Sequence, residues 1–371
     1  MQRTTAMPNR LDENRIPRAA ASSPFGAPVP FARVNALLPF FGFLNTVGAP
    51  TDHLLCRARI PLQLLDDQEA LIPVYSAYRF LELAAGREHL EDLGTVVGWQ
   101  ASSFELGAFG QALQRASTVY EYLQTGIRLI GTHSGATSFW LSQEGDLFRL
   151  SQHLKGPAGF GRCIADLFTL VITLSTLRRL VGPGWSPGEV RLMAGDEALL
   201  GDRECLGDAR IIPGQRHSSF TISRSLMERP VRFRTGKAAL ANEAPPVAGS
   251  PMPTDFLSSM EHLVTSLVGD GYPGLRIAAA AAGMSPRTLQ RRLAQAGTTY
   301  ADMVTASRMR LARDWLNTSD LPIAEIAAML SYTDPSNFAR AFRRQTGLSP
   351  QAYRQKSLCS WIDVTDRRLQ Q

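Results

Sequence analysis

The sequence predicts an α+β domain over residues 31–227 followed by an all-α domain over residues 255–356 that contains two helix-turn-helix units. Three observations carry this fold class. A stretch rich in proline and glycine, Arg229 to Pro253, interrupts the apolar patterning and places a linker over 228–254. Strand-like alternation occurs before that stretch and not after it. Beyond it one pattern occurs twice: Leu275-x-x-Ala278-Ala279 and Ile323-x-x-Ile326-Ala327 lie 48 residues apart, each followed by a turn and a short amphipathic helix. A chain of 371 residues suffices for two domains that each bury a core.

Residues 1–30 carry Arg3, Arg10, Arg15 and Arg18 among Pro8, Pro17, Pro24, Pro28 and Pro30, with no apolar stretch after the arginines. They read as a disordered tail rather than a secretory leader. In the first domain, apolar spacings of three and four predict helices at Val74–Ala85, Ala108–Arg115, Thr118–Ile130 and Phe160–Leu180. Alternation predicts strands at Ser138–Ser142 and Leu147–Leu154, joined at Glu144-Gly145-Asp146, with further strands at Glu189–Ala194 and Ser218–Ser223. The longest apolar run, Ile164 to Leu174, is broken by Asp166, Thr169 and Thr173. It falls short of the roughly eighteen residues of a membrane span, and no membrane partner is expected. Cys56, Cys163, Cys205 and Cys359 lie far apart without ligand-spaced histidines, as in a reduced, cytoplasmic protein.

Charge separates the two domains. Between Arg276 and Lys356 there are twelve basic residues against five acidic ones, an excess of seven, whereas the whole chain carries +6. The basic character therefore belongs to the second domain, as expected of a nucleic-acid partner. In its first unit Ser285-Pro286 is a helix start: serine caps free N–H groups and proline suits the first helical position. Leu289, Leu293 and Ala296 then share one face, while Arg287 and Arg291 point away, flanked by Thr288 and Gln290. In the second unit Asp334-Pro335 opens the helix and Phe338 and Phe342 face inward. Ser336, Arg340 and Arg344 face out, with Asn337 and Arg343 beside them. Arginine donates two hydrogen bonds to guanine O6 and N7, and Asn or Gln pairs similarly with adenine, so these are the side chains a major-groove helix needs. A merely solvated face explains one such helix as well as base reading does, but not two capped copies. Between the units, Tyr300 to Leu316 predicts a spacer helix with Val304, Leu311 and Trp315 inward.

The segment "IAEIAAMLSYTDPSNFARAFRRQTGLSPQAYR" from Ile323 closely resembles the signature of AraC/XylS-type transcription regulators, and "GMSPRTLQRRL" (Gly283–Leu293) resembles their first helix-turn-helix. The resemblance covers about 100 residues and includes the ending Gly347-Leu348-Ser349-Pro350-x-x-Tyr353-Arg354. By motif position it places the base contacts on Arg287, Gln290 and Arg291, then on Ser336, Asn337 and Arg340. Two departures stand out: Ser331 occupies a turn position usually held by glycine, and Ala278 replaces a larger apolar residue. Serine in a left-handed turn carries strain. More loosely, Ile60-Pro61-x-x-Leu64-Leu65, Leu106-Gly107-x-Phe109-Gly110 and the hairpin before Phe160 resemble the effector-sensing domain of the arabinose-binding-like branch. The resemblance implies duplex promoter DNA, a small-molecule effector, RNA polymerase and a second copy of the chain as partners, with no cofactor.

Other chemistries fit less well. Gly182-Pro183-Gly184-Trp185-Ser186-Pro187-Gly188 lacks the N–H groups and lysine of a phosphate cradle, and Gly131-Thr132-His133-Ser134-Gly135 misses the nucleophile-elbow spacing. Neither points to an enzyme. His133, His153 and His217 are the histidines that a metal site would gather, although isolated histidines are more often ordinary polar residues. Trp140 and His153 on the hairpin, with Arg162 on the next helix, are the candidates for an effector pocket. The alternative is a first domain that only dimerises or contacts a protein; an enclosed cavity with polar groups favours sensing, and a solid apolar core favours a contact module. Residues 357–371 form a tail with Trp361 and no motif.

Overall fold

A computed structural model describes residues 26–201, 206–231, 251–268, 271 and 273–356, with the side chains of 197 and 198 left aside. Most of the tail and linker expected at 1–30 and 228–254, and all of that at 357–371, lie outside the described residues. The chain divides into two compact units, Pro30–Met252 and Pro253–Gln371, with Ser23–Val29 joining the second.

The first unit begins with β1 (Phe31–Arg33), followed by α1 (Leu38–Thr46) and α2 (Thr51–Ala58). Strand β2 (Leu71–Pro73) pairs antiparallel with β1 and leads into α3 (Val74–Glu88), α4 (Leu93–Gln100), α5 (Gly107–Leu113) and α6 (Val119–His133). A hairpin of β3 (Thr137–Glu144) and β4 (Leu147–Leu154) precedes α7 (Phe160–Val181), then β5 (Glu189–Arg191), β6 (Arg210–Ile212), β7 (Ser218–Ser223) and α8 (Arg224–Met227). The larger sheet has the order β3-β4-β7-β5-β6, antiparallel except for β5 beside β6. The helices expected at 74–85, 108–115, 118–130 and 160–180 and the hairpin all form. The backbone N–H of Val119 donates to Arg229 O and that of Val231 to Ser117 O, so the fold runs a few residues beyond 227.

Helix α7 is the spine of this unit. By length and composition alone it is apolar enough to cross a membrane, although Asp166, Thr169 and Thr173 interrupt its apolar run. Most of it is buried against α3, α4 and the sheet, and it acts as a core helix. Its partner α4 approaches without side chains between them. A Cβ on Gly94 would collide with the carbonyl of Ile164, and one on Gly98 would lie 3.1 Å from Phe168 O. Buried Asp166 fastens α7 to the sheet by accepting hydrogen bonds from Gln152 Nε2 (2.8 Å) on β4 and from Ser218 Oγ on β7.

The second unit holds α9 (Phe256–Val268), α10 (Leu275–Ala281), α11 (Pro286–Gln295), α12 (Tyr300–Thr318), α13 (Ile323–Met329) and α14 (Pro335–Thr346), with a last helical stretch at 350–356. Among its described residues there is no strand. Gly26–Val29, expected as part of the tail, is anchored here: the Val29 N–H donates to buried Ser259 Oγ at 2.9 Å, and Arg292 donates to Ala27 O at 2.6 Å. Spacer helix α12 buries Val304 as expected, but Met309, Ala312 and Leu316 complete its inner face while Leu311 and Trp315 are half-buried. The difference is a rotation of one residue, within the ambiguity of an apolar stripe that is broad in this helix.

The α4–α7 contact generates a stability test. Gly94→Ala is expected to destabilise the chain by about 1–3 kcal/mol through overpacking. Gly86→Ala, in α3 with open space around it, is expected to stabilise by up to about 1 kcal/mol through helix propensity. Urea unfolding followed by circular dichroism reads both; equal effects of the two alanines would contradict the close approach.

Candidate nucleic-acid interface and interior cavity

The two helix-turn-helix units share a backbone plan. In the first, Gly283 adopts φ 68° and the N–H of Met284 returns to Ala279 O at 2.9 Å. In the second, Ser331 adopts φ 59° and the N–H of Tyr332 returns to Ala327 O at 2.9 Å. The turn residues are 48 positions apart, as are Ala279 and Ala327, whereas the caps Ser285 and Asp334 are 49 apart. The second turn is therefore one residue longer.

Serine holds this left-handed position with help from α12. Arg308 donates from Nη2 to Ser331 O at 3.4 Å and lies 5.0 Å from the Tyr332 ring centroid. That combination of hydrogen bond and cation–π contact steadies a turn that glycine would adopt freely. Alanine at 278 is fully buried in α10, where its small side chain sits at the helix-packing surface.

Both outward helices start as the sequence predicts. Ser285 Oγ accepts from the Thr288 N–H at 3.1 Å, and Asp334 Oδ1 accepts from the Ser336 N–H at 2.7 Å, with proline at the first helical position in each. Leu289 and Leu293 anchor α11, and Phe338 and Phe342 anchor α14; all four are essentially inaccessible to solvent. Phe338 packs on Tyr332 and Phe342 on Tyr353, with ring centroids 5.5 and 5.3 Å apart. The opposite faces are open. Arg287, Gln290 and Arg291 are exposed on α11, with Thr288 half-buried and its hydroxyl engaged by Ser285. Ser336, Asn337, Arg340, Arg343 and Arg344 are exposed on α14, and Arg340 donates to Asn337 Oδ1, which turns the amide N–H groups of Asn337 free for another acceptor. Arg292, the remaining basic residue of α11, is taken up internally: its guanidinium lies 3.9 Å from the Phe256 ring centroid, and burial pushes its pKa down.

The first unit contains a cavity of ≈ 110 Å³. Phe40, Leu81, Phe109, Leu123, Phe139 and Phe168 form its apolar wall, and His133 belongs to the lining. Strand periodicity decides which hairpin residues reach it. Thr137 and Phe139 of β3, with Leu150 and Leu154 of β4, line the cavity, so Trp140 and His153 fall on the other face of the hairpin. There His217 packs against both, each ring pair 5.1 Å apart. Arg162 donates to Gly156 O at 2.8 Å. None of Trp140, His153 and Arg162 lines the cavity. Nor do the three histidines meet: His153 and His217 pair on the sheet, while His133 sits in the cavity wall. The cavity group that sequence reasoning missed is His133 itself. Its signal is present: it continues the stripe Val119, Tyr122, Leu123, Gly126, Ile130 that α6 buries.

His133 is 6% exposed, its ring stacks on Phe109 with centroids 5.1 Å apart, and its Nδ1 has no hydrogen-bond partner. Burial, and secondarily the nearby Arg33 guanidinium, push its pKa down to about 4, so the ring is neutral at physiological pH.

Two capped helices presenting guanidinium and amide groups, braced by a third helix, define a double helix-turn-helix protein. Comparison with known proteins agrees. The profile "Helix-turn-helix domain" matches residues 278–356, and "Arabinose-binding domain of AraC transcription regulator, N-term" matches residues 48–231. The HTH-type transcriptional regulator VirS of Mycobacterium tuberculosis is 25% identical over 341 residues, covering 87% of this chain and 96% of that protein. The ornithine utilization regulator of Pseudomonas aeruginosa is 42% identical over 100 residues, which is 27% of this chain and 29% of that protein. The crystal structure of the transcriptional regulator CdpR from Pseudomonas aeruginosa is 22% identical, covers 82% of this chain and 96% of its own, and superposes with a TM-score of 0.33. The chain belongs to the AraC family of DNA-binding transcriptional regulators, and the relatives it matches are regulators, not enzymes.

Two outcomes test this geometry. Ser331→Gly is expected to stabilise the second unit by about 1 kcal/mol, because the left-handed penalty disappears; an unchanged or lower melting temperature would mean that Arg308 and Tyr332 already compensate fully. The second follows from linkage at His133. Its folded pKa of about 4 lies below the ordinary value of 6.5. Its stabilising contribution is thus present above pH 6.5 and lost as the pH falls toward 4. Relative to His133→Phe, the wild-type chain is expected to lose roughly 3 kcal/mol between pH 7 and pH 4, read by urea titrations at each pH.

Proposed function

We propose that the open faces of α11 and α14 read duplex DNA at promoters, and that a small molecule held in the cavity of the first unit controls this. Arg287, Gln290 and Arg291 serve as base-reading groups of the first head, with Thr288 on its flank. Ser336, Asn337 and Arg340 serve the second, and Arg343 and Arg344 reach the phosphates. The observation that carries the reading is the repeated arrangement of a capped helix with a buried apolar anchor and an open polar face, in a unit matched by the helix-turn-helix profile. The spacer α12 has 19 residues, a length of about 28 Å, comparable to the roughly 34 Å turn that separates neighbouring major grooves on one face of the duplex.

Effector control is supported by the apolar cavity in the unit matched by the arabinose-binding profile. By analogy with the family, the DNA-bound chain works in the cytoplasm as a homodimer that contacts RNA polymerase.

Arg291→Ala and Arg340→Ala are each expected to weaken cognate binding by about 1–3 kcal/mol, with a smaller loss on random duplex. Hydroxyl-radical footprinting of the full chain at a promoter found by genome-wide occupancy is expected to give protected patches one helical turn apart, one lost with each variant. Equal losses on cognate and random DNA would assign these arginines to phosphates. A reporter on that promoter reads effector control: a response to cell extract is expected in wild type and lost in Gly126→Leu, whose side chain fills the cavity. Output that never differs between the two would favour a first unit acting only as a protein-contact module.

A further inference from the structure

Resting on the reading of the cavity as an effector site, we propose that its ligand is a compact, uncharged, mainly apolar molecule. The cavity is thus not built for a sugar, despite the arabinose-binding description of the matching profile.

Charge comes first. No Asp, Glu, Lys or Arg lines the cavity. Arg33, the cation that acts on His133, is already satisfied: it donates to Thr132 O at 3.2 Å and Glu69 O at 2.6 Å, and its Nε lies 3.5 Å from the Glu69 carboxylate. A carboxylate or ammonium brought into this space would lose its hydration without gaining a counter-charge.

The polar inventory comes next. Tyr78 lines the cavity but donates its hydroxyl to Lys155 O at 3.1 Å. Tyr122 donates to Ser103 Oγ at 3.3 Å, and Thr137 donates to Ser134 Oγ at 3.0 Å. Thr169 and Thr173 turn back onto their own helix, donating to Ala165 O and Thr169 O, both at 2.8 Å. Each lining hydroxyl is engaged with a neighbour. His133 Nδ1 also lacks a partner, but it presents essentially no accessible surface, so it offers a ligand nothing to bond. A pentose would bring several hydroxyl groups to a wall whose few hydroxyls are already engaged, and each unmet group carries a desolvation penalty.

Size is the last constraint. A cavity of ≈ 110 Å³ holds roughly seven to eleven water-sized atoms. The wall is rich in phenylalanine and leucine, and Phe109 already stacks on the His133 ring. A one-ring aromatic bearing a short alkyl group fits each of these terms.

The test is calorimetric titration of the full chain with four probes of similar size: 4-propylphenol, propylbenzene, 4-ethylbenzoate and L-arabinose. The phenol is expected to bind and raise the melting temperature. Propylbenzene is expected to bind at least as tightly, while the benzoate and arabinose give no heat. Gly126→Leu is expected to abolish binding of both: a Cβ at 126 meets only Leu113 Cδ2 at 3.8 Å, so the longer side chain extends into the cavity. Circular dichroism and DNA binding check that the variant is folded. Arabinose or benzoate binding that Gly126→Leu removes would overturn the ligand class and leave effector control intact. Phenol and propylbenzene binding insensitive to Gly126→Leu, or no binding by any probe, would also overturn the proposal. Effector control itself is decided separately by the reporter response of wild type against Gly126→Leu.

Discussion

The first unit depends on the burial of α7. A helix of 22 residues with little exposed face must find a partner for each polar side chain that it carries inward. Asp166 is the most demanding of these. Burial raises its pKa against the lowering effects of Ser218, Gln152 and Arg162, and its bonds to β4 and β7 fix the helix relative to the sheet. Further along, Ser175 donates to Trp99 O at 2.9 Å, and Thr176 donates to Ile172 O and meets Ser103 Oγ. The glycines of α4 then let a second helix lie against the first. From this helix, pinned on both sides, Phe168 and Ile172 line the cavity.

The second unit solves the opposite problem. Its outward helices must expose charge and still be held firmly. Few apolar residues bear this: Leu289 and Leu293 in one helix, Phe338 and Phe342 in the other, each fully buried. Large side chains at two positions one turn apart give a short helix a fixed azimuth, so the exposed arginines have a defined direction. The second head has the bulkier anchors, and it also has the longer turn and the non-glycine Ser331. Aromatic packing and the Arg308 brace offset the less favourable backbone. In this way two copies of one motif have diverged in sequence while keeping the same turn geometry, φ 68° at Gly283 and 59° at Ser331.

Legibility in the sequence follows the range of the interactions involved. Caps, apolar stripes and the hairpin are local, and Ser285-Pro286, Asp334-Pro335 and Glu144 to Leu147 announced their elements. Helices α1, α2 and α4 were not anticipated: α4 in particular has two glycines and little amphipathicity, because its purpose is a close approach that only the tertiary partner explains. The cavity was the least legible feature. Trp140 and His153 look like pocket residues in the sequence, but strand alternation sends them to the face opposite Phe139. In the sequence His133 stands out in the Gly131–Gly135 segment and among three scattered histidines, neither of which points to a cavity. Its place at the end of the α6 stripe, three residues after Ile130, is the local sign that it points inward.

The neutrality of the cavity bears on how a ligand would be felt. A charged effector acts by rearranging ion pairs, whereas an apolar one acts by supplying contacts that the walls of an unfilled space lack. Such a ligand binds the folded unit and not the unfolded chain, so it stabilises by RT ln(1 + [L]/Kd), about 2.7 kcal/mol at a hundredfold excess over Kd. The walls that gain those contacts come from α1, α3, α5, α6, α7 and the hairpin, elements that otherwise meet across the cavity. Filling it therefore favours whichever arrangement of these elements packs best around the ligand, and a shift in that arrangement is all a control device requires.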